Sequence, residues 1–544
     1  MPEMASPEEA ASGAEPFDVC ELQGRIDAVL EREHASWGVL VYSTGLGRDI
    51  AAHRPDTALV PASNVKLFTA LASLLVSHVG PTRALRTAAH VVDVPDNDTS
   101  ASCGDAASEP PRRRAVCVHP CGDPGLTADQ LNELVSDALE AAGVSADDVD
   151  ADRTRLGGDP WRDDGVPDTW EVGDLARDWA APPSRAVLDR NVGSLWAPDK
   201  KSRGTGGEPP LTRFRDACRA AVRRAQTSKR RDEQHETDTN TEAETETEIP
   251  CGLAPPPSPR RVSVWSPGFE SPAREPRFPD GWAICDSAPV SAIARAALRD
   301  SDNLCAEQLL RVSAGGRDSG RWLTSWSAVF CRKRCASTAI SAPTAEQSRG
   351  MKHRDVSDPE LRTSPSPARV RFVDGSGLSR HNLAPPRAFV ALFLSALEGA
   401  AREDAARARE TLARGPSELG DEARSPFNAF LDALPTTATN GPNGDRSRNS
   451  RTEDSQKRSG TLSARLGDLS GVVRAKTGSM RGVAALSGYF ASHACSRLGV
   501  VAFSVIANNH ASAAPDAGHR LRDALDEIVR LVDRAEMVRE EGDR

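Results

Sequence analysis

Pro61-Ala62-Ser63-Asn64-Val65-Lys66 opens an apolar run in which Leu67, Phe68, Ala70, Leu71, Leu74 and Leu75 recur at helical spacing. That periodicity predicts a buried helix starting near Ser63. Pro61 bars the helix from extending further upstream. Residues three positions apart share a helix face, so the Lys66 amine can reach back to the Ser63 hydroxyl. A serine hydroxyl is a weak nucleophile until a neighbouring base takes its proton. A free lysine has a pKa of about 10.4 and serves as that base near neutral pH only if burial or a nearby cation lowers the value. The start of a helix also offers unpaired N–H groups that suit a developing oxyanion. Taken alone, Ser-x-x-Lys is far more commonly a capping serine followed by a solvated lysine. The cation usage tilts the reading: lysine occurs only at 66, 200, 201, 229, 333, 352, 457 and 476, against a background rich in arginine. A retained lysine in such a chain marks a place needing an amine that can lose its proton, which arginine cannot do.

At 544 residues the chain exceeds one core, and two or three domains are expected. Hydrophobic content of 38% with 27% charged residues fits a soluble protein carrying polar insertions. A net charge of −10 argues against nucleic acid as the partner. Eleven cysteines, an odd number spread from Cys20 to Cys495, do not form a small disulfide scaffold. The close pairs are Cys117/Cys121, with His119 between them, and Cys331/Cys335. A structural zinc takes about four well-spaced ligands, so neither a metal site nor a cofactor is expected. No run reaches membrane-spanning length, so no integral membrane segment is expected. The first thirty residues are acidic and lack the apolar core of a signal peptide.

Residues 1–17 read as disordered, followed by a helix from Val19 to Arg32. Trp37–Tyr42 and Asp49–His53 read as a hairpin feeding the Ser63 helix. Beyond Thr82 come a strand at His90–Val94, a loop at Cys103–Arg114 and an amphipathic helix at Leu126–Gly143. Trp161, Trp170 and Trp179 read as core residues. Residues 199–258 are polar and charged and are expected to be flexible. Short helices are predicted at Val290–Leu298 and Leu304–Val312, then an irregular stretch over 314–368 and a helix at Pro386–Leu397. A third polar stretch spans 436–459. Strands at Gly471–Lys476, Val483–Phe490 and Leu498–Asn508 precede a closing helix at Arg520–Val532.

Ser301-Asp302-Asn303 lies between the two short helices and can present a hydroxyl and an amide into a cleft. Lys476-Thr477-Gly478 ends an apolar strand whose edge can pair with an extended peptide. Its lysine adds charge for a carboxylate, and its glycine lets substrate approach the backbone. Each tripeptide alone is common. In this order, at a helix start, an interhelix loop and a strand, the three form the set of serine β-lactamases and penicillin-binding proteins.

On these motifs the chain resembles the D-alanyl-D-alanine carboxypeptidase/endopeptidases of the class C penicillin-binding proteins. Cys121–Pro124, Leu188–Asn191, Ser301–Glu307, Asp374-Gly-Ser-Gly-Leu-Ser-Arg380, Gly460–Leu462 with Arg465, and Ala475–Ser479 carry the resemblance further. It implies an α+β fold, an α/β sandwich of the β-lactamase/transpeptidase kind, with an antiparallel sheet flanked by helices. The catalytic domain would be split between 18–82 and 285–544, with one or two smaller domains inserted over 83–284. The resemblance implies Ser63 as acylated nucleophile, Lys66 as its base, and Ser301 and Lys476 as the proton relay to the leaving amine. Lys476 and Thr477 would hold the substrate carboxylate and Asn303 its amide, beside Gly478. The N–H groups of Ser63 and Ser479 would form the oxyanion hole. The implied substrates are peptidoglycan stem or cross-bridge peptides, with β-lactams as inhibitors and an extracytoplasmic or periplasmic location. The alternatives are another serine hydrolase on this scaffold (a β-lactamase, an esterase or a D-amino-acid amidase) and a non-catalytic module that binds wall peptide.

Overall fold

Val483–Phe490 and Val501–Asn508 are buried along their entire length, and the surrounding architecture explains why. A strand with both faces covered reads as a continuous run of small and apolar residues instead of an alternating one. The computed structural model describes residues 19–76, 79–95, 112–158, 166–194 (without 172, 173 and 176), 209–239, 278–337, 370–414, 425–437, 462, 465–469, 472–491, 498–510 and 517–537.

In chain order the first elements are α1 (Val19–Arg32), β1 (Ser36–Ser43), β2 (Arg48–His53), α2 (Val65–Leu75), β3 (Ala84–Pro95), β4 (Arg112–His119), α3 (Ala128–Ala141) and β5 (Arg155–Leu156). Then come α4 (Pro210–Thr239), β6 (Trp282–Pro289), α5 (Val290–Arg299), α6 (Asn303–Ala314), α7 (Ser319–Ser337), α8 (Pro386–Arg414) and α9 (Pro426–Ala433). The last are β7 (Val473–Met480), β8 (Val483–Phe490), β9 (Val501–Asn508) and α10 (Ala517–Met537). None of the described helices is long and apolar enough to cross a membrane.

The described residues fall into two units. The first draws on Met1–Thr82, Pro167–Glu171 and Val290–Arg544, the second on Arg83–Val166 and Val172–Pro289. In the first unit an antiparallel sheet runs in the order β2-β1-β9-β8-β7. On one face α1 and α10 close a core of Ile26, Val39, Val41, Leu486, Phe503, Leu525 and Ile528. On the other, α8 packs on β1, β8 and β9, and α2 lies among α5, α6 and α9. Phe68 of α2 anchors that layer with ring centroids 5.2 Å from Phe372 and 5.4 Å from Phe389. The result is the helix–sheet–helix sandwich expected from the motifs. In the second unit a sheet in the order β5-β4-β3-β6 carries α3 and α4 on one face.

Several elements depart from the sequence expectations. Of the loop expected at Cys103–Arg114, residues 103–111 lie outside the described residues and Arg112–Arg114 instead begin β4, whose arginine-rich start gives no hint of the buried Ala115, Val116, Cys117 and Val118 that follow. The expected flexible span 199–258 contains α4, because Phe214, Cys218, Ala221 and Val222 form one apolar stripe on an otherwise charged helix and join the core beside α3. Likewise α7 lies within the expected irregular stretch over 314–368, with Leu323, Ser327 and Cys331 buried at four-residue spacing. Helix α8 continues to Arg414 past the expected end at Leu397. The strand β6 and the helix α9 were not anticipated. Residues 1–17, 240–258, 338–368 and 438–459, on which flexible or irregular chain was expected, lie outside the described residues.

Candidate active site

Ser63 sits in a one-turn 3-10 helix, Ala62–Asn64, that runs directly into α2. Two glycines crowd this turn. A Cβ on Gly377 would stand 1.9 Å from the Ala62 carbonyl oxygen, and one on Gly478 would stand 2.8 Å from the Pro61 carbonyl oxygen and 3.2 Å from the Ser63 nitrogen. Gly377 has φ +84°, a conformation that a side chain would strain as well. The backbone of the Asp374–Arg380 loop and that of β7 therefore clamp the serine turn from two sides.

Lys66, one turn after Ser63, is fully buried. Its Nζ lies 2.9 Å from Ser63 Oγ, 2.6 Å from Asn303 Oδ1 and 2.6 Å from the Ser376 carbonyl oxygen. The amide and carbonyl oxygens can only accept. A neutral amine that donates to both must turn its lone pair toward Ser63 Oγ, which is the orientation for removing a proton. Burial lowers the Lys66 pKa to about 8, against the opposing pull of Asp374, Glu307 and Asp302.

Ser301 precedes α6. Asp302 caps that helix by accepting from the Cys305 N–H at 2.9 Å, and Asn303 is its first residue. Ser301 itself takes φ +57°, which turns its hydroxyl out of the helix path. Lys476 Nζ donates to Ser301 Oγ at 3.0 Å and to the Thr477 carbonyl at 2.8 Å. Lys476 is also fully buried, and its pKa falls well below the usual lysine value through burial and then through the nearby Lys66. Burial and the neighbouring Lys66 charge thus both favour the neutral form of the Lys476 amine.

On β7, Val473 and Ala475 direct their N–H groups outward, to Thr437 Oγ1 at 2.9 Å and the Pro435 carbonyl at 3.1 Å. By the two-residue alternation of a strand, the N–H groups of Thr477 and Ser479 face the same edge. Gly478 packs on the serine turn, and Ser479 is exposed one residue further along. The eight residues singled out in the sequence come from the serine turn and α2, the α5–α6 junction and β7 of the first unit, with Lys66 joined to Ser63 and Asn303, Lys476 joined to Ser301, and Gly478 packed on the Ser63 turn.

Three supporting residues were given no role by sequence reasoning. Glu307 on α6 is completely buried. Its Oε1 accepts from the N–H groups of Gly375 at 3.0 Å and Ser376 at 2.8 Å, and its Oε2 pairs with Arg311 at 2.6 Å. It thereby fixes the carbonyl that receives the Lys66 amine. Asp374 is buried and accepts from Gly377 N, Ser379 N, Asn382 Nδ2 and Trp170 Nε1 at 2.7–3.0 Å. Burial raises its pKa, and Glu307 adds to the rise. Trp170 is tied to the site by this bond, whereas spaced tryptophans read only as core; Trp179 is 46% exposed, and Trp161 lies outside the described residues. The signal was present in the Ser301–Glu307 and Asp374–Arg380 stretches, but a glycine-rich loop shows no partners in sequence. Arg380 extends the network, donating to the Arg481 carbonyl at 2.9 Å and pairing with Glu171.

A family model described as D-Ala-D-Ala carboxypeptidase 3 (S13) matches residues 22–263 and 423–532. A stretch of 168 residues, 28% of this chain, is 33% identical to a D-alanyl-D-alanine carboxypeptidase of Actinomadura sp. (strain R39); the match spans 27% of that protein's length. Among solved structures the fold is similar to that of penicillin binding protein 4 (dacB) from Haemophilus influenzae, with a TM-score of 0.50 at 16% identity over 93% of this chain and 99% of that one. The same Haemophilus protein complexed with a novel β-lactam aligns with a TM-score of 0.48 at 16% identity, over 93% of this chain and 99% of that one.

Proposed function

We propose that this chain, which belongs to the D-Ala-D-Ala carboxypeptidase 3 (S13) family, is a serine-type D-Ala-D-Ala carboxypeptidase/DD-endopeptidase acting on peptidoglycan peptides. The observation that carries this reading is the fully buried Lys66 amine, 2.9 Å from Ser63 Oγ and oriented by two oxygens that can only accept.

The first unit is the catalytic domain, with the second unit inserted into it. An extended peptide ending in D-alanine lies along the outer edge of β7 and adds a strand to the sheet. Thr477 and Lys476 hold its terminal carboxylate, and Asn303 donates to its backbone carbonyl. Lys66 Nζ takes the Ser63 proton as Oγ bonds to the scissile carbonyl carbon. The N–H groups of Ser63 and Ser479 hold the resulting oxyanion. Ser301, supported by Lys476, passes a proton to the departing D-alanine nitrogen. The C–N bond breaks, leaving an ester on Ser63. Water, deprotonated by the same amine network, then hydrolyses that ester. A β-lactam enters the same sequence, but its leaving nitrogen stays tethered, so the ester persists.

The experiment is intact-protein mass spectrometry after incubation with penicillin, with peptide mapping of the adduct. One adduct on Ser63, absent in Ser63→Ala, is expected, together with D-alanine release from a D-Ala-D-Ala peptide. Folded protein that forms no adduct and releases no D-alanine refutes the reading. Turnover of esters or of a chromogenic cephalosporin without D-alanine release reassigns it to another serine hydrolase.

A further inference from the structure

The sheet of the second unit has a second face, away from its helices. Ala89, Val116, Val118 and Ala283 point into the core with α3 and α4. Strand alternation puts their neighbours His90, Cys117, His119 and Trp282 on the opposite face. His90 of β3 pairs in register with Cys117 of β4 on one side and with Trp282 of β6 on the other. His119 follows Cys117 by two residues and so stands beside it.

The three side chains converge. Cys117 Sγ and His119 Nε2 are 3.5 Å apart, and one donor atom from each of His90, Cys117 and His119 lies within 4.8 Å of the other two. Tetrahedral zinc, with bonds of about 2.0 Å to nitrogen and about 2.3 Å to sulfur, sets its donors roughly 3.5 Å apart. The cysteine–histidine pair already has that spacing, and a His90 nitrogen lies within 4.8 Å of both donors.

Two further observations set this cluster apart from chance neighbours. Among the described residues the buried His90 Nδ1 has no hydrogen-bond partner, a defect that a bound cation relieves. Both rings are also held in place. Trp282 stacks on His90 with centroids 3.8 Å apart, and a Cβ on Gly157 would stand 2.1–2.5 Å from three atoms of the His119 ring. Gly157 is fixed in turn by its N–H to the Val118 carbonyl at 2.8 Å and by Arg185 on its own carbonyl at 2.6 Å.

We propose that His90, Cys117 and His119 form a three-donor site for a zinc-class divalent cation on the outer face of this sheet, with the fourth position taken by solvent or an exogenous ligand. Two imidazoles and one thiolate suit borderline-soft ions and not magnesium or calcium. No metal is expected from the sequence, which offers no set of four well-spaced ligands; His90 is brought to Cys117 only by the β3–β4 register.

The test uses the full chain, loaded with Zn2+ for X-ray absorption and titrated with Co2+ for absorption spectroscopy. One sulfur and two imidazole donors around zinc are expected, with one equivalent of Co2+ giving a thiolate charge-transfer band. Cys117→Ser should remove that band, while Cys20→Ser, at an exposed cysteine, should keep it. Loss of an outer partner of a ligand costs about 10–100-fold in metal affinity, so His90→Gln should weaken binding by at least about 100-fold. Gly157→Ala leaves every donor in place and should weaken binding by displacing His119. A zinc shell of oxygen donors only, a shell with more than one sulfur, or a charge-transfer band that survives Cys117→Ser overturns the proposal. The zinc X-ray absorption needs no variant, so the proposal stays testable if one of them fails to fold.

Discussion

The sharpest perturbation is Lys66→Arg, which keeps a cation and removes a titratable amine. With a pKa of about 8 in place of 10.5, burial outweighs the surrounding carboxylates by an amount worth about 3 kcal/mol. At pH 7 about a tenth of the lysine is neutral, against roughly one part in 3,000 for an unperturbed amine. Arginine starts above about 12, and the same depression leaves less than about one part in 300 neutral. The base is active when deprotonated, so acylation should rise with pH. In the unaltered chain the logarithm of the second-order acylation constant should climb with unit slope to about pH 8 and then level off. In Lys66→Arg the constant at pH 7 should drop by about 10²–10⁴-fold, the contribution of a positioned base. The assay is fluorescent penicillin labelling in rapid quench between pH 6 and 9, with near-ultraviolet circular dichroism to certify the fold. An arginine variant within about tenfold of the parent at pH 7, or a parent profile flat across that interval, removes Lys66 as the base.

Gly377→Ala places a Cβ against the Ala62 carbonyl at 1.9 Å and should displace the Ser63 turn; a misplacement of this kind costs about 100-fold in acylation, read by the same labelling. Glu307→Gln removes the carboxylate paired with the buried Arg311 and should cost about 3–5 kcal/mol in urea unfolding, so a loss below about 1 kcal/mol would show that the pair is not structural. Trp170→Phe removes the indole donor from buried Asp374 and should lower unfolding stability by about 1.5–3 kcal/mol, with an unchanged midpoint counting against that tie.

Much of the first unit was legible because its elements carry their reasons locally. The α2 periodicity, the Asp302 cap of α6 and the doubly buried runs of β8 and β9 are written in short windows. The eight candidate site residues could be found for the same cause: each motif declares the backbone that presents it. What escaped reading was partnership at a distance. Glu307 looks like an ordinary helical acid until the Gly375 and Ser376 amides turn toward it. The aromatic ring of Trp170 suggests burial, yet its nitrogen is what reaches Asp374. Helix α4 was hidden by its charge, since Phe214, Cys218, Ala221 and Val222 bring it to the core although most of its residues are polar. His90 and Cys117 became neighbours only through strand register, which no spacing rule in one segment reveals.

The arrangement of the large sheet has a consequence for biogenesis. Strand β1 emerges early from the ribosome, but its inner edge pairs with β9, and Asn508 closes both backbone groups of Val60 across 448 residues. Until the last strands have been synthesised, β1 and β2 form a hairpin with an open, apolar flank, the kind of surface that recruits stray strands. Ribosome-stalled chains ending before Val501 should therefore bind holdase chaperones, and release should follow once β9 has cleared the exit tunnel.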